Sequence, residues 1–278
     1  MKKITASLLF AILISCSPKL RSNIDKVLAP LSDKALVVVL DAADDQIING
    51  TKIGDLKAVD GGFAENCTYY ENVQNLKSMA RQNGANLVRI TKQISPDKRS
   101  ACFRLWANIY KVDDPKRYET EIVWSVNRKL TWDDFKGQPD QITYPNALAL
   151  TNSGFGYESS ANLFKDGKLF IQCVFKTYES WVLPNSSTDY ILRHEQIHFD
   201  ITEIYSRKLR KALTDLKITA VNADKAKPVF DKIFKEFNKR QDRYDSETKR
   251  GAKKETQEFW EATVKIELAK YALYKENE

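Results

Sequence analysis

Apolar positions change their spacing twice along the chain, and each change marks a boundary. After a short apolar run from Ile4 to Ile14, the first structured pattern is Ala35-Leu36-Val37-Val38-Val39-Leu40, a continuous run that predicts a buried strand before the turn-rich AADD at 42–45. Residues 71–84 predict a helix closed by Gly84, and 85–90 and 101–111 predict two further strands. This β-loop-α-β-β unit is small for an independent core, at roughly 80 residues. The polar stretch 112–121, with Pro115, reads as a boundary. Strand-like runs follow at 121–125, 146–161 and 168–183, with a turn of helix and a Gly/Pro loop over Arg128–Pro139. From residue 187 the period becomes helical. Ser187 is the predicted N-cap, and Ile191, His194, Ile197, His198, Ile201 and Ile204/Tyr205 form one stripe. A second helix from Pro228 buries Phe230, Ile233, Phe234, Phe237 and Tyr244. A last one, Thr256 to Tyr274, packs through Phe259, Trp260, Val264, Ile266/Leu268 and Tyr271. Strands first and helices last predict an α+β chain with domains at 35–112 and 120–278.

The first stretch of the chain is an address. Lys2 and Lys3 precede an apolar run too short to span a bilayer, so residues 1–15 read as a signal peptide. Leu13-Ile14-Ser15-Cys16 resembles a bacterial lipobox, which implies cleavage before Cys16 and its lipidation. With no acid at Ser17, lipoprotein sorting rules imply the outer membrane. Residues 16–34 are then expected to tether the lipid to the first domain. Removing 1–15 lowers the net charge from +7 to +5, with basic and acidic residues interspersed. That is a solvated helical surface, and nucleic acid is excluded as a partner. In an oxidising envelope Cys67 and Cys102, both in the small domain, are expected to pair. Cys173, in an apolar strand, is expected to be a buried, inert thiol.

Candidate chemistry is concentrated at His194-Glu195-Gln196-Ile197-His198, which holds the chain's only two histidines. On a helix, residues i and i+4 share a face, so both imidazoles can meet one Zn²⁺. Glu195, turned by about 100°, is placed to take a proton from a water at that ion. A third ligand is needed. No third histidine exists, so a carboxylate is favoured. Counted from His194, Asp200 lies at about 240° and Glu203 at about 180°, away from the histidine face and suited to supporting or surface roles. On the next helix Asp245 lies about 65° to one side of the buried stripe and Glu247 about 95° to the other, so either could reach. Trp181 is a candidate cleft residue, with simple packing at a strand end the commoner use.

Two resemblances extend this reading. A strand, GGF-x-x-x-C, a helix with ARQNGAN, a strand and Cys-x-Arg, over residues 35–112, resemble the Rcs-type outer-membrane lipoprotein stress sensor. That implies an interaction module with an envelope protein partner and no catalytic residue. W-S-x-x-R-x-L-T-W-x-D-F-x-G-x-P, S-W-V-x-P, H-E-Q-x-H-F-D-I, Y-D-x-E-T and a later Gln-x-x-Trp resemble an uncharacterised bacterial family of predicted secreted Zn-dependent proteases, over about Val123–Trp260. It implies zinc, a peptide or protein substrate and a zincin-like domain, and its Tyr-Asp pattern favours Asp245 over Glu247. Where relatives carry Thr-x-His, this chain has Thr248-Lys249-Arg250. Arg250 either stabilises a transition-state oxyanion or opposes a metal. The expected function is therefore a lipid-anchored zinc metallopeptidase. The rivals are a non-catalytic sensing lipoprotein and a zinc hydrolase acting on a peptidoglycan amide.

Overall fold

A computed structural model describes residues 18–60, 67–100, 102–159 and 169–275. The signal peptide, Cys16 and the GGF of the first motif lie outside the described residues. The chain is mixed α+β and divides into two compact units between Asp113 and Asp114.

The first unit is a five-stranded sheet with one helix. Its strands are β1 (Lys19–Ile24), β2 (Val38–Leu40), β3 (Thr51–Val59), β4 (Leu87–Ile94) and β5 (Arg104–Lys111), with α1 (Tyr69–Gln82) between β3 and β4. The order is β1-β3-β5-β4-β2, antiparallel except for the β2–β4 pair. Alternation places Leu105, Ala107 and Ile109 of β5 on the face that packs with Leu76 and Ala80 of α1. Thr68 opens α1 with a reciprocal capping box to Glu71. Gly84 follows it at φ +75°, and a Cβ there would lie 2.6 Å from both Ala29 O and Leu28 Cβ. The predicted Cys67–Cys102 disulfide is formed, with its Cα atoms 5.0 Å apart.

Residues 19–24, expected to be tether, instead form the edge strand β1 on β3. Their side chains are all exposed or half-buried, so the pairing rests on backbone hydrogen bonds that leave no apolar alternation to read. Strand β3 was likewise not foreseen, because Gly54 and Asp55 interrupt its apolar pattern.

The second unit holds β6 (Glu121–Val123), β7 (Ala149–Leu150), β8 (Ser153–Ser159), β9 (Leu169–Lys176) and β10 (Trp181–Val182), then α2 (Asp189–Asp215), α3 (Ala226–Thr248) and α4 (Lys254–Lys270). Strands pair antiparallel as β6-β9-β8 and as β10-β7. Helix α2 is the axis. Residues 199–207 are buried without a break, so this stretch is enclosed on every face rather than amphipathic. One side packs with Phe155, Phe237, Tyr244 and Trp260, while Phe199 joins Ile122, Phe135 and Phe175 on the other. Thr188, not Ser187, is the N-cap, its hydroxyl accepting from Ile191 N–H at 3.2 Å.

Enclosure changes the standing of the acids on α2. Asp200 and Glu203 are buried, not surface groups. Asp200 accepts from Trp124 Nε1 at 2.7 Å and Gln196 Nε2 at 2.8 Å, and Glu203 pairs with Arg207 at 2.7 Å and Arg210 at 3.1 Å. The Arg128–Asp134 pair is bidentate, at 2.7 and 3.0 Å. These motif residues act as framework, because a buried charge must find a partner. On α4, Trp260 and Val264 are buried as expected, but Phe259 and Ile266 face solvent. Among the described residues no helix is long and apolar enough to cross a membrane.

Candidate metal centre

Helix α2 presents His194 and His198 one turn apart, and α3 brings Asp245 to them in its final turn. The two Nε2 atoms lie 3.3 Å apart, and Asp245 Oδ1 lies 3.2 Å from His194 Nε2 and 3.0 Å from that of His198. These residues form a group whose ligand atoms lie within 4.8 Å of one another. Glu247, the other carboxylate considered, is turned away. It pairs with Arg243 at 2.7 Å and accepts from Trp260 Nε1 at 2.9 Å.

Packing holds the histidine rings. Tyr244 stacks on His194 with centroids 4.6 Å apart and 21° between planes, and meets the His198 ring edge-on. Past α3 the chain turns through Lys249, Arg250 and Gly251, all at positive φ. Gly251 closes over His194, and a Cβ there would stand 3.3 Å from its Cγ. Tyr190 Oη donates to Gly251 O at 2.5 Å and pins this turn to the start of α2.

The outer ring nitrogens are also engaged. His194 Nδ1 lies 3.0 Å from Gln257 Oε1, and His198 Nδ1 lies 2.8 Å from Gln241 Oε1. The sequence reading missed both glutamines. Gln241 stands one turn before Asp245 on α3, which helical spacing could have revealed. Gln257 is on α4, a helix read as packing alone, and its only signal was the Gln-x-x-Trp pattern.

Amide oxygens accept only, so each Nδ1 carries the hydrogen and each Nε2 offers its lone pair inward. Two lone pairs and a carboxylate then converge, an arrangement suited to a cation between them. Burial alone would lower the His198 pKa, but the hydrogen bond and charge of Asp245 outweigh it and raise the value to about 9. Burial would raise that of Asp245, yet the two histidines hold it well below the usual carboxylate range. Two imidazoles and one carboxylate are equally a donor set for a divalent metal, and the residues present fit one.

Glu195 completes the site. It is 4% exposed, lines the same cavity, and its Oε2 has no hydrogen-bond partner among the described residues. The cavity, about 700 Å³, is also lined by residues 147–153, Gln241, Asp242 and Arg250. Arg250 is exposed, and its backbone N–H donates to Asp245 O at 2.8 Å. Trp181 is buried at 3% exposure and does not line the cavity, so it is a packing residue. Cys173 is a buried free thiol, pushed well above its ordinary pKa by burial.

Residues 176–252 match a family described as "Bacterial protein of unknown function (DUF922)". The match contains both histidines, Glu195, Asp245 and Arg250, and ends before Gln257. It brings no activity with it and does not reach residues 35–112. No curated protein and no solved structure matches the chain.

Proposed function

We propose that the second unit is a zinc-dependent peptidase, in a protein held at the bacterial outer membrane through an acylated Cys16. The observation that carries this reading is Glu195, a buried carboxylate with a free oxygen beside three converging ligands. A structural zinc site takes four protein ligands and has no use for a base, whereas a hydrolytic one takes three and needs one.

When bound, zinc supplies a Lewis acid that polarises the scissile carbonyl and makes water more acidic. Glu195 takes a proton from the attacking water on Oε2 as the water oxygen bonds to the carbonyl carbon. It then delivers that proton to the amide nitrogen as the C–N bond breaks. Arg250, which lines the same cavity, would stabilise the developing oxyanion. A peptide would run extended along β7, whose second edge is unpaired among the described strands. Leu148 and Leu150 pair with the β10 side, so alternation turns the main-chain groups of Ala149 and Thr151 to the free edge. The first unit is read as an interaction module for another envelope protein.

A second reading, a non-catalytic sensing lipoprotein, is favoured by Arg250, a cation lining the cavity that would receive the metal. Metal content separates the two. The purified protein should hold about one zinc per chain, lost in His198→Ala. Glu195→Gln should keep its zinc while peptide cleavage falls about 10²–10⁴-fold. Folded wild type that takes no added zinc, or a Glu195→Gln variant as active as wild type, would overturn the peptidase reading.

A further inference from the structure

The hydrogen bonds behind the histidines point to a feature of this centre that its ligand set does not contain. Zinc-bound histidines commonly pass their outer N–H to a carboxylate or a backbone carbonyl. Here both pass it to the side-chain amide of a glutamine, and the two glutamines come from different helices. The direction of each amide is fixed by what its nitrogen must do. Gln241 Nε2 donates to His198 O at 3.0 Å and to Thr202 Oγ1 at 3.3 Å, so its oxygen is the atom left for His198 Nδ1. Gln257 Nε2 lies 3.4 Å from Glu261 Oε1, an acceptor, so its oxygen is the atom left for His194 Nδ1. Gln257 is wholly buried, and its oxygen also receives Tyr244 Oη at 3.5 Å. Reversing either amide would set N–H against N–H or oxygen against oxygen.

We infer that Gln241 and Gln257 are the positioning residues of the metal centre, locking both histidines as Nδ1–H tautomers with neutral acceptors. The inference rests on the metal reading of the site and adds to it in two ways. It makes α4 part of the centre, although the last helix supplies no ligand. It also sets the charge of the site. Glutamates in the same places would add two negative charges behind the rings, hold a cation more strongly and blunt its pull on a substrate carbonyl. Amides orient the rings without adding that charge, which leaves Asp245 as the carboxylate that meets both rings, with Glu195 lining the same cavity.

The test uses zinc and cobalt alone, with no substrate. Zinc affinity is measured by chelator competition and site geometry by the visible spectrum of the Co²⁺ form. Wild type is compared with Gln241→Met, Gln257→Met, Gln241→Glu and Gln257→Glu. Methionine keeps the length of glutamine and removes the acceptor; glutamate keeps the acceptor. Each methionine variant should bind zinc about 10–100-fold more weakly and show an altered Co²⁺ spectrum. Each glutamate variant gives up the Nε2 donor but keeps the acceptor, and should bind zinc more tightly than its methionine counterpart. Methionine variants with wild-type affinity and spectrum would overturn the inference, as would glutamate variants as impaired as their methionine counterparts, since only packing would then matter. If wild type itself binds neither metal, the metal reading falls first and is seen to do so. Should Gln257→Met not fold, the half-buried Gln241 carries the same test alone.

Discussion

Two groups of buried polar side chains lie on the same helix and are balanced in opposite ways. Toward the end of α2, Glu203 meets Arg207 and Arg210, and the spare N–H groups of those arginines reach the carbonyls of Leu268, Ile171 and Tyr274. Donors match acceptors, and the cluster ties α2 to β9 and the C-terminal turn. About one and a half to two and a half turns earlier on α2, His194 and His198 turn toward Asp245 of α3, and one oxygen of Glu195 has no partner among the described residues. Buried polar groups are almost always satisfied, so the first cluster is complete as built while the second has the donor set for a cation. The difference separates framework from site without reference to any known relative.

Variants can strain that contrast. The largest expected effect is at the closed cluster, where Glu203→Ala leaves the buried Arg207 and the half-buried Arg210 without their carboxylate. It should lower stability by about 3–5 kcal/mol, read from denaturant unfolding. A change under about 1 kcal/mol would mean that the cluster is not the tie described. At the open cluster the effect should depend on metal. Zinc at about a hundred times its Kd should stabilise wild type by about 2.7 kcal/mol, and Asp245→Asn should remove most of that gain. An undiminished zinc-induced rise in Tm in this variant would exclude Asp245 as a ligand.

Trp124→Phe is milder, since it deletes one donor to the buried Asp200 while Gln196 remains. A loss of about 2 kcal/mol with zinc content unchanged is expected; a loss of zinc instead would give Asp200 a role in the metal centre. Cys173 should show least. Burial keeps its thiol protonated, so an alkylating reagent should leave it untouched until the protein unfolds. Labelling of the native protein at the rate of a free thiol would contradict its burial.

What could be read from the chain was local. The His194/His198 pair follows from helical spacing alone, and the Cys67–Cys102 bond from two cysteines in one small unit. Asp245 was only slightly preferred over Glu247, because the two flank the buried stripe of α3 at about 65° and 95°. Seating Tyr244 between His194, His198 and Trp260 is what turns Asp245 inward. The edge strand β1 was hidden for another reason: of its side chains only Ile24 is even half-buried, so its backbone pairing with β3 is what reveals it.

The sequence by itself thus determined the α+β order of elements, the disulfide, and a helix carrying two imidazoles and a carboxylate on adjoining faces. These depend on contacts a few residues apart or on composition. Tertiary structure decided which carboxylate meets the two histidines, a choice the sequence only leaned toward, and it alone decided the glutamines behind both rings and the enclosure of α2. Each of these requires helices distant in sequence to pack at one angle and one rotation, which no periodicity within a single helix can specify.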